Sequence, residues 1–191
     1  MKQDRARRTR QRILDVAAEE FSTHGYALTT MHDIARRIGM TKGALYGQFA
    51  SKDALAQALL DHGLSRITGL RTLVVRDGDP FADLGRFTSG LARCLHTDVR
   101  LRAALRLLTD GTGAVLPVDP LAEAAAHIGT LIRRAQSRGQ IDPEEDPADL
   151  AQLLLCIACA VWTTPRLAPA RPPDAWAEWA WGRVAASLRR P

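Results

Sequence analysis

The chain has 191 residues, of which 46% are hydrophobic, 25% are charged and only 5% are aromatic, and its formal net charge is +5. Such a chain can bury a packed core, and its many Ala and Leu residues favour helices over strands. A long apolar run typical of a membrane span is missing, the arginine-rich start lacks the apolar part of a secretory signal, and three cysteines form no disulfide framework. We therefore expect a cytoplasmic protein with no membrane partner.

Positive charge is concentrated at the N-terminal end, where residues 1–60 contribute +4 of the net charge. The phosphates of a nucleic acid attract such a cluster whatever the base sequence. A solvated basic end is the alternative interpretation. The cations nearest the start are Lys2, Arg5, Arg7, Arg8, Arg10 and Arg12.

An apolar stripe at helical spacing predicts a first helix over residues 7–24, which Gly25 ends. We expect the stripe to pack on Leu45 and Phe49 and so to brace the helices that follow. Its members are Ile13, Leu14, Ala17 and Phe21.

Residues 30–55 predict two short helices joined by a tight turn. Thr30 is followed three positions later by an acidic residue, the spacing of an N-terminal capping box. Gly39 ends this helix, because glycine adopts a positive φ without steric cost. Thr41 begins the second helix, and Ser51 begins a third. This arrangement is typical of a helix-turn-helix, whose second helix can lie in the major groove of DNA.

The predicted DNA contacts lie on and around this second helix. Lys42 is placed at its N-terminal end to reach a base edge or a phosphate, and Ala44 to approach a base edge or a thymine methyl group. The other side chains are expected to contact phosphates. The complete predicted set is Thr30, Thr41, Lys42, Ala44, Tyr46, Gln48 and Lys52.

The rest of the chain predicts further helices and no strand, about nine helices in all. Asp-Pro pairs mark several starts, because Asp caps a helix and Pro is favoured at its first position. The pair at 142–143 is expected to be a turn. A long helix is predicted from residue 52 to about residue 76, and loops over residues 111–119 and 165–173. The predicted starts are Pro80, Thr97 or Asp98, Pro120, Pro147 and, for the last helix, Asp174 as its cap.

The eighth helix is apolar on every side over residues 153–162, LLLCIACAVW. It is too short to cross a bilayer, so it is covered either within one chain or by a second subunit. We favour a homodimer in which helices 8 and 9 form a four-helix interface around a twofold axis. The matching row on the ninth helix is Trp176, Ala180 and Val184, widened by Ala177 and Leu188, with Trp179 beside it.

Catalytic and metal-binding patterns are weak throughout. Cys156 and Cys159 lie in the apolar eighth helix without a second pair, so we expect core cysteines rather than metal ligands. His96 and His127 are isolated histidines. The sequence carries neither a nucleophile elbow nor a phosphate-binding glycine loop nor paired carboxylates on an apolar face. We expect no enzyme activity, no cofactor and no metal site.

The run TTMHDIARRIGMTKGALYGQFASKDAL also resembles the DNA-binding signature of the TetR family of bacterial transcriptional regulators. The shared elements are Thr30, the Ile-Ala pair at 34–35, Gly39, the Gly-x-Leu-Tyr-x-x-Phe helix at 43–49 and the Lys-Asp-x-Leu start at 52–55. Many members have His where this chain has Gln48. The resemblance implies an all-α homodimer with a DNA-binding domain over residues 1–51 and a ligand-binding and dimerisation domain over residues 52–191.

The resemblance also implies a small apolar or amphipathic effector bound between the helices of the second domain. The stretches GALYGQFASKDALAQALL and VRLRAALRL are similar to the γ-butyrolactone receptor group, although this chain has Ala near Glu123 and Ala124 where that group has Trp. The effector is then either butyrolactone-like or antibiotic-like. The candidate lining residues are Phe87, Leu91, Leu105, Leu108, Ile128, Leu131, Trp162 and Thr163.

The expected function is a repressor that a small molecule releases from a pseudo-palindromic operator in double-stranded DNA. The alternatives are a small-molecule binding protein of the same fold without repressor function, and an activator.

Overall fold

A computed structural model describes residues 2–72, 78–110, 119–163 and 173–189, with the side chains of residues 2, 160–163, 173 and 174 outside the description. These residues form nine helices, and the extended pairing among them is one isolated bridge between Ile141 and Arg189. The predicted all-α class is confirmed. The helices are α1 (Lys2–Leu28), α2 (Met31–Ile38), α3 (Lys42–Tyr46), α4 (Lys52–Arg71), α5 (Pro80–Thr97), α6 (Val99–Thr109), α7 (Pro120–Ser137), α8 (Pro147–Thr163) and α9 (Pro173–Leu188).

Side-chain caps set the helix starts as predicted. Ser51 Oγ accepts from the backbone N–H of Ala54 at 3.1 Å, and Asp98 accepts from the first amides of α6. Asp119 and Asp146 cap α7 and α8 in the same way, and the predicted turn at 142–143 is present.

Some boundaries differ from the prediction, and some predictions lie outside the described residues. α1 continues past residue 24 to Leu28, but Gly25 (φ 76°, ψ 175°) breaks its helical backbone, so the predicted stop is real. α4 ends at Arg71, and residues 73–77 lie outside the description, as do residues 111–118 and 165–172 of the two predicted loops. α9 begins at Pro173, one residue before the predicted cap.

The chain forms two compact units, and the first contains residues 1–65 and 98–117. In this unit the predicted stripe on α1 is buried with Leu45 and Phe49 in one apolar cluster. α6 packs along α1, and Arg100 Nε donates to Asp15 Oδ1 at 2.7 Å. Asp110 Oδ2 accepts from the backbone N–H of Tyr26 at 2.9 Å. The unit that carries the predicted DNA-binding helices α2 and α3 therefore includes α6 and much of α4, beyond the segment 1–51 predicted for that domain.

The second unit contains residues 66–97 and 118–191, and α5 packs against α7, α8 and α9 within it. α8 buries one side, including Leu154 and Ala158, and exposes the other, where Leu153 is 51% accessible. Cys156 is exposed on this outer side, so the expectation of two core cysteines is wrong for Cys156. Cys159 is partly buried, which raises the pKa of its thiol to about 11.

The ninth helix turns a different side inward from the one expected. Trp176, Ala180 and Val184 line a small space enclosed by α5, α8 and α9 inside the second unit. Trp179 is instead 44% exposed. The row predicted for the four-helix interface therefore lines space within its own unit, whereas Trp179 lies outward.

Within the described ranges, no helix is both long and apolar enough to cross a membrane. The same part of the chain contains no cluster of three or more His, Cys, Asp or Glu side chains that could hold a metal ion.

Candidate nucleic-acid interface

The start of α2 is held by a reciprocal pair of side-chain contacts. Thr30 Oγ1 accepts from the backbone N–H of Asp33 at 3.1 Å, and its own proton is donated to Asp33 Oδ2 at 2.6 Å. The hydrogen bond from Thr30 is the main cause of the lowered pKa of Asp33. A carboxylate near the positive N-terminal end of a helix is stabilising, and the predicted N-cap at Thr30 is confirmed.

The turn between α2 and α3 depends on one left-handed residue. Gly39 has φ 74° and ψ 35°, a conformation that costs other residues free energy. Its N–H donates to Arg36 O, and the next N–H, of Met40, donates to Ala35 O, as in a Schellman motif. Thr41 then caps α3 by accepting from Ala44 N–H at 3.2 Å.

α3 is short and presents two different sides. Leu45 has no accessible surface, and Phe49, just after the helix, is 3% exposed, so both anchor the segment in the core of the first unit. Lys42 and Ala44 are exposed, and Tyr46 is 49% exposed. Burial of the apolar side therefore aims the N-terminal residues of α3 away from the protein, as a recognition helix requires.

A shallow surface depression of about 370 Å³ gathers four of the seven predicted contacts: Thr30, Lys42, Tyr46 and Lys52. His32 lines the same depression and was not among the predicted contacts. Its position two residues after the cap, in the first turn of α2, was the signal available in the sequence. Thr41, Ala44 and Gln48 do not line the depression, and their contacts with DNA stay predictions.

Lys52 is less free than a phosphate-binding side chain was expected to be. Its Nζ donates to the backbone oxygens of Tyr26 at 2.9 Å and Thr29 at 3.1 Å, and it lies 4.0 Å from the centroid of the Tyr26 ring. The phenol donates to Asp53; burial, followed by that carboxylate, raises the pKa of Tyr26 to about 12. Lys52 therefore holds the α1–α2 connection in place beside the depression.

The end of the recognition segment is held by an arginine from α1. Arg10 Nη1 donates to Gln48 O at 2.8 Å, and its guanidinium carbon lies 3.9 Å from the centroid of the Phe49 ring. The basic cluster predicted only a general attraction to phosphates. Arg10 has a more specific part, because it joins α1 to the residues that follow α3.

The predicted effector-lining residues do not all fall in one unit. Phe87, Leu91, Ile128 and Leu131 are buried on α5 and α7 of the second unit. Leu105 is buried in α6 of the first unit, where Leu108 packs against the apolar core formed with α1, α2 and α3. The side chains of Trp162 and Thr163 lie outside the described residues.

Comparison with known proteins agrees with this geometry. Residues 13–59 match the family described as bacterial regulatory proteins of the tetR family. The chain is 33% identical over 156 residues to the A-factor receptor protein of Streptomyces griseus, an alignment that covers 81% of this chain and 54% of that protein. The chain thus spans about half the length of this relative.

Two solved structures extend the similarity over nearly the whole chain. One is a γ-butyrolactone receptor (ArpA-like protein), 28% identical, with a TM-score of 0.77 over 96% of this chain and 99% of that one. The other is CprB from Streptomyces coelicolor in complex with its operator sequence, 28% identical, with a TM-score of 0.73 over 96% of this chain and 100% of that one. This chain belongs to the tetR family of bacterial regulatory proteins.

Proposed function

We propose that the protein is a ligand-responsive transcriptional repressor that binds a pseudo-palindromic operator. The observation that carries the proposal is the α2–turn–α3 geometry, in which buried Leu45 directs Lys42 and Ala44 outward beside a depression lined by Thr30 and Tyr46. A recognition helix presented in this way can reach base edges while the flanking side chains contact phosphates. The CprB complex supports this use of the fold.

The protein is proposed to act as a homodimer through α8 and α9. Leu153 and Trp179 leave apolar surface exposed on these helices, and exposed apolar surface on adjacent elements favours association. A twofold dimer would present two recognition helices to two half-sites about one helical turn apart, or a multiple of it.

The effector is proposed to be a small apolar or amphipathic molecule bound in the second unit. The similar receptor for γ-butyrolactones supports a butyrolactone-like signal, and an antibiotic-like compound is the alternative. Binding would favour a conformation with lower operator affinity, by as much as the effector's preference for that conformation. Cytoplasmic location, and the absence of enzyme activity and cofactor, belong to the same proposal.

The proposal is tested by operator binding. Duplexes selected by the purified protein from random DNA should share a pseudo-palindrome, and log affinity should fall linearly with log salt concentration. Lys42→Met should weaken binding to the selected duplex. Lys2→Met should instead weaken binding to the selected and the scrambled duplex by the same factor. Selection of no common sequence would favour a ligand-binding protein without repressor function, and increased transcription in vitro would favour an activator.

A further inference from the structure

Two polar side chains lie within the apolar contact between α5 and α7 of the second unit. Asp83, on α5, has no accessible surface, and Leu84 and Phe87 on the same helix are also buried. His127, on α7, is partly buried, and its ring meets the Phe87 ring at a centroid distance of 4.7 Å and an interplanar angle of 63°. Enclosing a carboxylate costs free energy unless its oxygens are hydrogen-bonded.

Each of these side chains keeps one enclosed atom without a hydrogen bond. Asp83 Oδ1 accepts from Arg86, one turn later on α5, but Asp83 Oδ2 has no hydrogen-bond partner among the described residues. The same is true of His127 Nε2. Enclosed polar atoms of folded proteins nearly always have a partner, so an exception requires an explanation. A bound molecule would supply the partner that the chain itself does not.

The two side chains belong to one site. Asp83 and Phe87 are four residues apart, so they share a side of α5 about 6 Å apart along the helix axis. Phe87 contacts His127 directly, and Asp83 is among the charges that act on the pKa of that imidazole. The other charges acting on it are Arg71 at the end of α4 and, on α7 itself, Glu123 and Arg134.

The hydrogen-bonding groups of Asp83 and His127 restrict which ligands can bind between them. An ionised carboxylate only accepts hydrogen bonds, and a neutral imidazole both donates and accepts. Burial, reinforced by Arg71, lowers the pKa of His127, so the imidazole is neutral near pH 7. Phe87 packs directly on His127, and Leu91 on α5 and Ile128 on α7 are likewise buried in this unit. A few convergent polar groups in an apolar lining are the usual composition of a small-molecule site.

We propose that Asp83 and His127 are the polar anchor of the effector site, and that the effector is an apolar small molecule whose hydroxyl group donates a hydrogen bond to Asp83. The inference rests on the proposed function, since only a ligand-responsive regulator needs an effector in this unit. It adds to that function that the effector must carry a hydroxyl donor, and that Asp83 and His127 recognise it.

Calorimetric titration of the full-length protein with two probes tests this requirement. The probes are a γ-butyrolactone bearing a hydroxyheptyl chain and the same lactone bearing a plain heptyl chain. The wild type should bind the hydroxylated lactone about tenfold more tightly, the usual size of a hydrogen bond to a charged group. Asp83→Asn should remove most of this preference, because a neutral amide is a weaker acceptor. Binding of the heptyl lactone should not change.

Matched variants separate binding from folding. Asp149→Asn makes the same change at an exposed position of α8 and should keep the preference. His127→Phe keeps a ring against Phe87. It should lower the affinity for the hydroxylated lactone severalfold and leave the affinity for the heptyl lactone unchanged. Equal binding of the two lactones by the wild type, binding of neither, or an unchanged preference in Asp83→Asn would overturn the inference.

Operator affinity, measured on the same samples, keeps this inference apart from the proposed function. An operator-binding wild type that binds neither lactone would overturn the effector class but leave DNA binding intact. A wild type that distinguishes the lactones but selects no operator would uphold the anchor and refute the repressor.

Discussion

Arg10 and Gln48 are joined by a hydrogen bond of 2.8 Å from the guanidinium Nη1 to the backbone oxygen that follows the recognition helix. The same guanidinium lies over the Phe49 ring. One cation of the basic N-terminal cluster therefore positions the DNA-binding segment through the protein itself.

Arg10→Ala should lower affinity for the operator about tenfold, because the end of α3 loses a charged hydrogen bond and a cation–π contact. Arg8→Ala removes one charge from the same exposed stretch of α1 and should weaken binding to the operator and to the scrambled duplex equally. Fluorescence anisotropy with both duplexes measures the difference. If Arg10→Ala and Arg8→Ala lowered the ratio of operator affinity to scrambled-duplex affinity by the same factor, the positioning role of Arg10 would be refuted.

Substitutions of the two lysines that line the depression should affect different properties, stability for Lys52 and operator binding for Lys42. Lys52→Met should lower the free energy of unfolding by about 2 kcal/mol, because two backbone oxygens lose their charged donor. Lys42→Met changes an exposed residue, so it should alter stability by less than about 0.5 kcal/mol while reducing the salt slope of operator binding by about one. Urea unfolding and salt titration measure these quantities, and a Lys52 variant of wild-type stability would contradict the structural role.

Gly85 allows α9 to approach α5. A Cβ at this position would lie 2.4 Å from Nε1 of Trp181, so Gly85→Ala should destabilise the protein by about 1–3 kcal/mol through overpacking. Gly182→Ala is the matched change on α9, where a Cβ meets nothing within 4 Å, and it should stabilise by about 0.5–1 kcal/mol. Thermal unfolding of both variants distinguishes them, and equal melting temperatures would show that Trp181 can move aside.

His127 should make stability depend on pH below neutrality. Burial and then Arg71 lower its pKa, and Arg134 adds to this, while Asp83 and Glu123 oppose it. Between the unfolded pKa of about 6.5 and the lower folded pKa, the unfolded chain binds more protons, so stability falls as the pH falls. His127→Gln should flatten this dependence between pH 7 and pH 5.5. Urea unfolding midpoints at several pH values measure it, and identical profiles for wild type and His127→Gln would refute the assignment.

Local patterns were sufficient for the elements that depend on neighbouring residues. Thr30, Gly39 and Thr41 act through hydrogen bonds and dihedral angles that span at most five residues, so their spacing predicts the caps and the turn. The Asp-Pro starts of α7 and α8 follow for the same reason. The resemblance to the TetR signature, carried by residues 30–55, rests on the same short-range pattern.

Predictions that required knowledge of which side of a helix faces inward were less successful. The row of Trp176, Ala180 and Val184 was expected at the four-helix interface, and it also lines space within its own unit. An apolar periodicity states that a surface is buried but not what buries it. For the same reason Cys156, in a helix apolar on all sides, was expected in the core and is exposed.

The sequence by itself determined the helical class, the helix-turn-helix and the concentration of positive charge beside it, because each follows from spacing and composition along the chain. Only the tertiary structure decided that Lys52 Nζ donates to two backbone oxygens, that α6 belongs to the same unit as the helix-turn-helix, and that His127 packs on Phe87. These relationships join residues 23 to 84 positions apart, or side chains on separate helices. Such contacts depend on how the helices pack, which a local pattern does not encode.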